Sequence, residues 1–269
     1  TTEGEIGPVG RVLEDIEPFI RSSELGFTDY YVRNRSQLLE VLASVAQMEI
    51  YPLIHFNMHG NEELGLSLID DGFCDWLSLG DALRQINIRT RNNLVVVMNV
   101  CFSMRIALSL AEINSAAPFY AVLAPERLIT DGEIEEASLG FYRTLFTEND
   151  LVEAMSCFPS ARLLNSEKLF FDAMVEYFIE LCSPGAVNQR AESMLLRYQR
   201  AHIVQSETEL ARLKSRYKSQ LKLGLTKEHL DRYIANYFLG KTPAFSIRDI
   251  KAATRKRLRS LGRIVPDNL

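Results

Sequence analysis

Along the first two thirds of the chain, the spacing of apolar positions switches repeatedly between a helical and a strand-like period. Residues 9–22 repeat Leu13, Ile16, Phe19 and Ile20 at helical spacing. Phe27–Val32, aromatic and β-branched, predicts a short strand. Ser36 is placed to cap a helix over Gln37–Gln47, with Leu38, Leu39, Val41, Leu42, Val45 and Ala46 as its apolar stripe. Tyr51–Met58 reads as a strand that runs out at His59 and Gly60, and Leu66–Ile69 as a short strand closed by the turn pair Asp71 and Gly72. Ser78 and Asp81 resemble a capping box that opens a helix to Ile86. Leu94–Val100 (LVVVMNV) has no polar position before Asn99, which predicts a central strand buried on both faces. A helix over Met104–Ile113, a strand over Phe119–Leu123 and a helix over Glu135–Phe146 complete the series.

Alternating strands and helices predict an α/β fold, a mostly parallel sheet flanked by helices with right-handed crossovers. Ligands of such sheets bind at the carboxyl ends of the strands, which directs attention to His59, Cys101 and the segment after Leu123. From about residue 160 the strand signal stops. Phe170–Leu181, Gln189–His202, Glu207–Leu221, Lys227–Phe238 and Ile247–Leu261 all read as helices, punctuated by Pro184-Gly185, Gly224 and Gly240–Pro243. The expected division is an α/β core over 1–159 and a helical subdomain over 160–269 that covers or regulates the sheet.

Composition narrows the class. The 269 residues are 47% apolar and 24% charged, enough for one large or two small domains whose core needs no disulfide or metal staple. The longest apolar run is the six residues Phe119–Ala124, far short of the roughly 20 of a membrane-spanning helix, so no membrane partner is expected. No basic-then-apolar leader is visible. Cys74, Cys101, Cys157 and Cys182 lie far apart without zinc-type spacing, which fits a reducing cytoplasm and no metal or cofactor. Charge is polarised: residues 1–189 carry 12 Lys/Arg and 28 Asp/Glu, and residues 190–269 carry 18 and 7. The stretch 248–263 holds seven Lys/Arg and one Asp, with Ile247, Ile250, Leu258 and Leu261 as an apolar stripe. Such a helix either docks on its own acidic body or meets nucleic acid or an acidic protein.

Two strand ends carry candidate chemistry. PLIHFNMHG (52–60) delivers His59 with a glycine behind it, and LVVVMNVCFS (94–103) delivers Cys101. In a parallel sheet these ends can lie side by side. A thiolate is a nucleophile, and an adjacent imidazole keeps it available and then protonates a leaving amine. Backbone N–H groups of Gly60 and Cys101 would serve a tetrahedral oxyanion. His55 and His59 have metal-pair spacing only on a helix, and Pro52 with its β-rich run argues for a strand, leaving His55 as a core histidine. His202 and His229 read as packing or surface residues.

MHG (58–60) and NVCFS (99–103), separated by an Asp-Gly hairpin and a helix, resemble the caspase-like cysteine peptidases of clan CD. The chain is most similar to bacterial CHAT-domain proteases, relatives of separase and the metacaspases, over about residues 9–147. It departs from the caspase Gln-Ala-Cys pattern at every position but Cys101. The resemblance implies a caspase-like sheet and a cysteine endopeptidase with His59 as acid/base and Cys101 as nucleophile. It also implies an effector of bacterial signalling or antiviral defence, with a protein substrate and a regulatory or sensor protein beside it. That fold begins with a strand ahead of the first helix; it is not visible here and is expected upstream. Relatives that select Arg or Lys use acidic pockets. Asp70, Asp71, Asp75, Asp131, Glu133, Glu135 and Glu136 crowd the strand-end loops, with Arg127 as the one base of the last loop. Asp131, with Glu133, is the expected pocket acid for a cleavage-site Arg or Lys, the competing role being to cap the following helix. The alternative function is a catalytically inactive binding module whose basic tail contacts nucleic acid or an acidic partner.

Overall fold

The computed structural model describes residues 6–22, 26–70, 72–111, 113–158, 161–181, 184–201, 206–222 and 227–265. In chain order the elements begin with α1 (Ile6–Ser22), α2 (Arg35–Gln47), β1 (Leu53–Asn57), β2 (Gly60–Asn61), β3 (Gly65–Leu68), β4 (Gly72–Cys74) and α3 (Trp76–Arg89). There follow β5 (Val95–Asn99), a 3₁₀ segment (Ser103–Ala111), β6 (Ala121–Pro125), α4 (Asp131–Glu148), α5 (Leu151–Ser156) and β7 (Ala161–Asn165). The helices α6 (Ser166–Leu181), α7 (Pro184–Ala201), α8 (Glu207–Lys222), α9 (Lys227–Tyr237) and α10 (Ile247–Ser260) complete the chain.

The main sheet has the order β1-β5-β6-β7. β5 is buried at all five positions, as an unbroken run of β-branched and apolar residues requires of a strand covered on both faces. It pairs in parallel with β1 from Leu53↔Val95 to Asn57↔Asn99, and with β6 from Val95↔Ala121 to Val97↔Leu123. Side chains alternate across a strand. Val95 and Val97 therefore share one core with Val12 and Ile16 of α1, Phe141 and Tyr142 of α4 and Met155 of α5. Val96 and Met98, pointing the other way, are equally buried. The 3₁₀ segment packs on β6 and on α3, and α3 on α2. A second, antiparallel sheet, β2-β3-β4, fills part of the excursion between β1 and β5.

Several local expectations need correction. Phe27–Val32 forms no strand; Phe27 and Tyr31 are exposed, only Val32 is buried, and a lone extended segment without a ladder is not stable as β structure. The cap of α2 is Asn34, whose Oδ1 accepts from Gln37 N–H at 2.9 Å, while Ser36 bonds Glu40. At α3 the roles are reversed from those expected: Asp75 is the cap, accepting from the Ser78 N–H (2.8 Å) and hydroxyl (2.7 Å). Residues 103–111 wind as a 3₁₀ helix, and α4 begins at Asp131, four residues earlier than the apolar pattern suggested. Strand character does not end at residue 160, because β7 adds antiparallel to β6 from Ala121↔Asn165 to Pro125↔Ala161.

The chain divides into two compact units, Thr1–Ser166 with Tyr237–Leu239, and Glu167–Asn236 with Gly240–Leu269. Tyr237 belongs with the first, its carbonyl accepting from Ala117 N–H at 3.0 Å. Within the second, α7 packs on α8, and Phe170 and Phe171 meet Phe245. α10 buries Ile250, Thr254 and Leu258 while Leu261, expected on the same stripe, is exposed. Its Arg257 approaches Glu176 at 4.0 Å. The apolar face of this basic helix is thus largely buried. No helix among the described residues is long and apolar enough to cross a membrane.

Candidate active site

The β1–β5 register has a constant offset of 42 residues, and Met58 N–H extends the ladder to the Asn99 carbonyl at 3.4 Å. Both strands end at that point, and His59 and Cys101 each follow two residues after the last matched pair, Asn57↔Asn99. Paired positions of adjacent parallel strands lie about 4.8 Å apart and send their side chains to the same face. At Gly60 the two segments approach closely at the backbone. A Cβ at that position would stand 2.2 Å from the Cys101 carbonyl oxygen and 2.5 Å from Val100 Cγ1. Only a residue without a side chain fits there. The His59 carbonyl accepts from Ser67 N–H at 2.9 Å, which ties the histidine to β3, and the imidazole is exposed.

Cys101 is partly buried, and its sulfur lies against one peptide unit. Ile129 N–H points to Sγ at 3.5 Å, and Sγ stands 3.8 Å from the Ile129 carbonyl oxygen. An amide donor directed at sulfur bonds a thiolate more strongly than a thiol, since hydrogen bonds to charged acceptors are the stronger class. The next residue, Phe102, has φ +58°, left-handed backbone that an aromatic side chain seldom adopts. Its N–H donates to the Arg127 carbonyl at 3.3 Å. The chain therefore turns sharply out of β5 into the 3₁₀ segment and presents Cys101 at the bend. Ser103, fully buried, has an Oγ without a hydrogen-bond partner.

Below the pair lies a buried polar group on the α4 side. His55 Nδ1 is 2.6 Å from the Tyr142 hydroxyl, and Asn99 Nδ2 donates to Ser138 Oγ at 2.8 Å. His55 Nε2 is buried without a partner at hydrogen-bond distance. Burial drops the His55 pKa to about 4, the neighbouring Asn99 side chain pulling it only part of the way back. Burial likewise pushes the Tyr142 phenol up, so both groups are neutral at pH 7. His55 is thus a core residue and His59 an exposed one, which separates two histidines only four positions apart. A stability consequence follows from linkage. Between pH 6.5 and about 4 the unfolded chain binds a proton at His55 that the folded chain does not, so folding stability falls as pH drops through that window. The loss amounts to about 3 kcal/mol at its lower end. Urea midpoints at pH 7 and pH 4.5 for wild type and His55→Gln will test this: the variant is expected to show the shallower pH dependence, and equal slopes would exclude His55 as the source.

The two acids expected to line a specificity pocket have other surroundings. Asp131 is exposed in the first turn of α4. Glu133 closes a capping box with Thr130, accepting from its N–H at 2.9 Å, and pairs with Arg127 at 2.5 Å. Arg127 first, and Thr130 second, hold the Glu133 carboxyl down at about 2. A cleft of about 390 Å³ is lined by Glu62, Phe102, Met104, Arg105, Ala107 and Glu126. Neither Asp131 nor Glu133 is among these. Of the remaining cysteines, Cys74 is buried and Cys157 packs against Gly140 and Thr144; Cys182, His202 and the side chain of His229 lie outside the described residues. Sequence reasoning singled out His59, Gly60 and Cys101, of which the structure brings Gly60 against Cys101, but not Ile129, Tyr142 or Phe102, whose places depend on tertiary pairing. Among the described residues no group of three or more His, Cys, Asp or Glu is assembled to hold a metal ion. Comparison of the chain with protein-family models, curated proteins and solved structures finds no match to any of them.

Proposed function

We propose that this protein is a cysteine endopeptidase working through a His59–Cys101 dyad, with preference for Arg or Lys beside the cleaved bond. The observation that supports the reading is the parallel register of β1 on β5, paired as far as Asn57↔Asn99, together with the seating of Gly60, the residue after His59, against the Cys101 carbonyl. In the proposed mechanism the His59 imidazole takes the Cys101 proton. The thiolate then attacks a peptide carbonyl, and the oxyanion meets the N–H groups of Gly60 and Cys101. The imidazolium next protonates the leaving amine, and water releases the acyl group from sulfur with His59 as base. The left-handed turn at Phe102 supports the same reading, because strained backbone concentrates where a reactive group must be presented.

Thiol chemistry tests the dyad without knowledge of the substrate. Brief treatment with iodoacetamide, followed by peptide mapping, is expected to modify Cys101 ahead of Cys74, Cys157 and Cys182. His59→Ala should slow the modification of Cys101 and leave that of Cys157 unchanged. Faster alkylation at another cysteine, or no response to His59→Ala, would count against the proposal.

A further inference from the structure

The 390 Å³ cleft beside Phe102 is lined by Glu62 from the turn between β2 and β3, by Phe102, Met104, Arg105 and Ala107 at the start of the 3₁₀ segment after β5, and by Glu126 just after β6. Its volume is within the range of small-ligand sites. Phe102 is the residue after Cys101, and its N–H bond to the Arg127 carbonyl fastens the loop after β5 to the loop after β6, next to Glu126. One wall of the cleft is thus the residue that directly follows the candidate nucleophile, while Cys101 itself is not among the lining residues.

Its walls combine apolar and charged groups. Phe102, Met104 and Ala107 supply carbon surface suited to an aliphatic stem, and the charges are two carboxylates and one guanidinium. Arg105 forms an ion pair with Glu62 across this space, each side chain 48% exposed. Glu126 is paired with Arg162 of β7 at 2.6 Å, a residue that does not line the cleft. Glu62 is held in place by its backbone: Trp76 Nε1 donates to its carbonyl at 3.2 Å, and Asn61 Oδ1 closes the turn by accepting from Glu63 and Leu64 N–H. The carboxylate is thus fixed at its base while its cationic partner comes from the facing loop. A half-exposed ion pair contributes little net stability, so one guanidinium can exchange for another at small cost.

Resting on the peptidase reading, we propose that this cleft receives the substrate side chain beside the scissile bond, that Glu62 selects Arg or Lys there, and that Arg105 occupies the site as an internal competitor. An acidic substrate side chain would enter between two carboxylates and find the only lining guanidinium already committed to Glu62. A basic one replaces Arg105 on Glu62 and lays its stem along Phe102 and Met104. Glu133, engaged at the N-terminus of α4, and the exposed Asp131 then have no part in selection.

The test compares internally quenched peptides that differ only in carrying Arg, Lys, Asp or Leu beside the cleaved bond, which mass spectrometry identifies. Wild type is expected to favour Arg and Lys. Glu62→Gln should reduce kcat/KM for Arg peptides about tenfold more than for Leu peptides, the scale of one hydrogen bond to a charged group. Arg105→Gln should raise kcat/KM for Arg peptides several-fold by removing the competitor. Preference for Asp, abolished by Arg105→Gln, would make Arg105 the reader and overturn the assignment. Equal losses on all peptides with Glu62→Gln would reduce Glu62 to a structural residue. Calorimetric binding of Nα-acetyl-arginine amide to Cys101→Ala protein separates this inference from the peptidase reading. Binding that Glu62→Gln abolishes upholds the subsite even if the wild-type chain cleaves none of the peptides. Cysteine-dependent cleavage without such binding overturns the subsite and leaves the peptidase reading standing.

Discussion

Replacing Cys101 by alanine is expected to reduce peptide hydrolysis to the uncatalysed background, and replacing His59 by alanine to lower kcat by about 10²–10⁴-fold. The two effects differ because the roles differ. Without the thiol there is no atom to form the acyl intermediate. Without the imidazole the thiol remains, held against the Ile129 peptide, but no group at that strand end collects its proton or returns one to the leaving amine. The double variant should be no slower than Cys101→Ala alone, since residues that act as a unit are not additive. Hydrolysis of quenched peptides, measured with the folded state of each variant monitored by circular dichroism, gives the comparison. Wild-type rates in Cys101→Ala would end the peptidase assignment, and an unaltered kcat in His59→Ala would leave the cysteine to act without this histidine.

Gly60→Ala is the second substitution with a large expected effect. The added methyl would lie 2.2 Å from the Cys101 carbonyl oxygen and 2.5 Å from Val100 Cγ1. A backbone oxygen cannot rotate aside, so β1 and β5 must separate at their carboxyl ends. Overpacking of this kind costs about 1–3 kcal/mol. The catalytic consequence is greater, because a displacement near 1 Å between reacting groups can cost about 10²-fold in rate. We expect kcat/KM to fall about 100-fold or more, with a melting temperature lower by several degrees. Gly132→Ala on α4, where the new Cβ meets nothing within 4 Å, is the matched control and should leave both quantities close to wild type. If Gly60→Ala retained full activity, the close approach of the two strand ends would not be a requirement of the chemistry.

How much of this was readable in the chain depended on whether the deciding interaction was local. The parallel sheet was legible because LVVVMNV reads as a strand buried on both faces, and Cys101 was singled out because it follows that run, whereas His59 follows β1, whose positions are mostly half-buried. The caps were misplaced because Asn34 and Ser36, like Asp75 and Ser78, offer two capping side chains within one turn; the winner is the one whose oxygen meets the N–H three residues on. Over the nine residues 103–111, periods of 3.0 and 3.6 give nearly the same apolar pattern, so a 3₁₀ segment read as an α-helix. β7 was missed because ARLLN has no alternation of its own, and Leu163 is 40% exposed; its strand character comes from pairing with β6, some forty residues away. The Ile129 peptide beside the sulfur and the carboxylate of Glu62 left no mark in the sequence, since any residue supplies an amide and surface acids are common.

The constant offset between β1 and β5 has a bearing on how this protein can vary in length. In the proposed dyad His59 and Cys101 each stand two residues beyond the last matched pair, Asn57↔Asn99. A single residue gained or lost inside either strand would turn one partner to the opposite side of the sheet. Those residues of the excursion between the strands that neither seat against Cys101, as Gly60 does, nor line the cleft, as Glu62 does, are under no such counting rule, since the β1–β5 ladder does not pass through them. Length change is therefore expected to be better tolerated there than inside either strand, and beside Gly72, where an added Cβ would meet nothing within 4 Å, there is room for it.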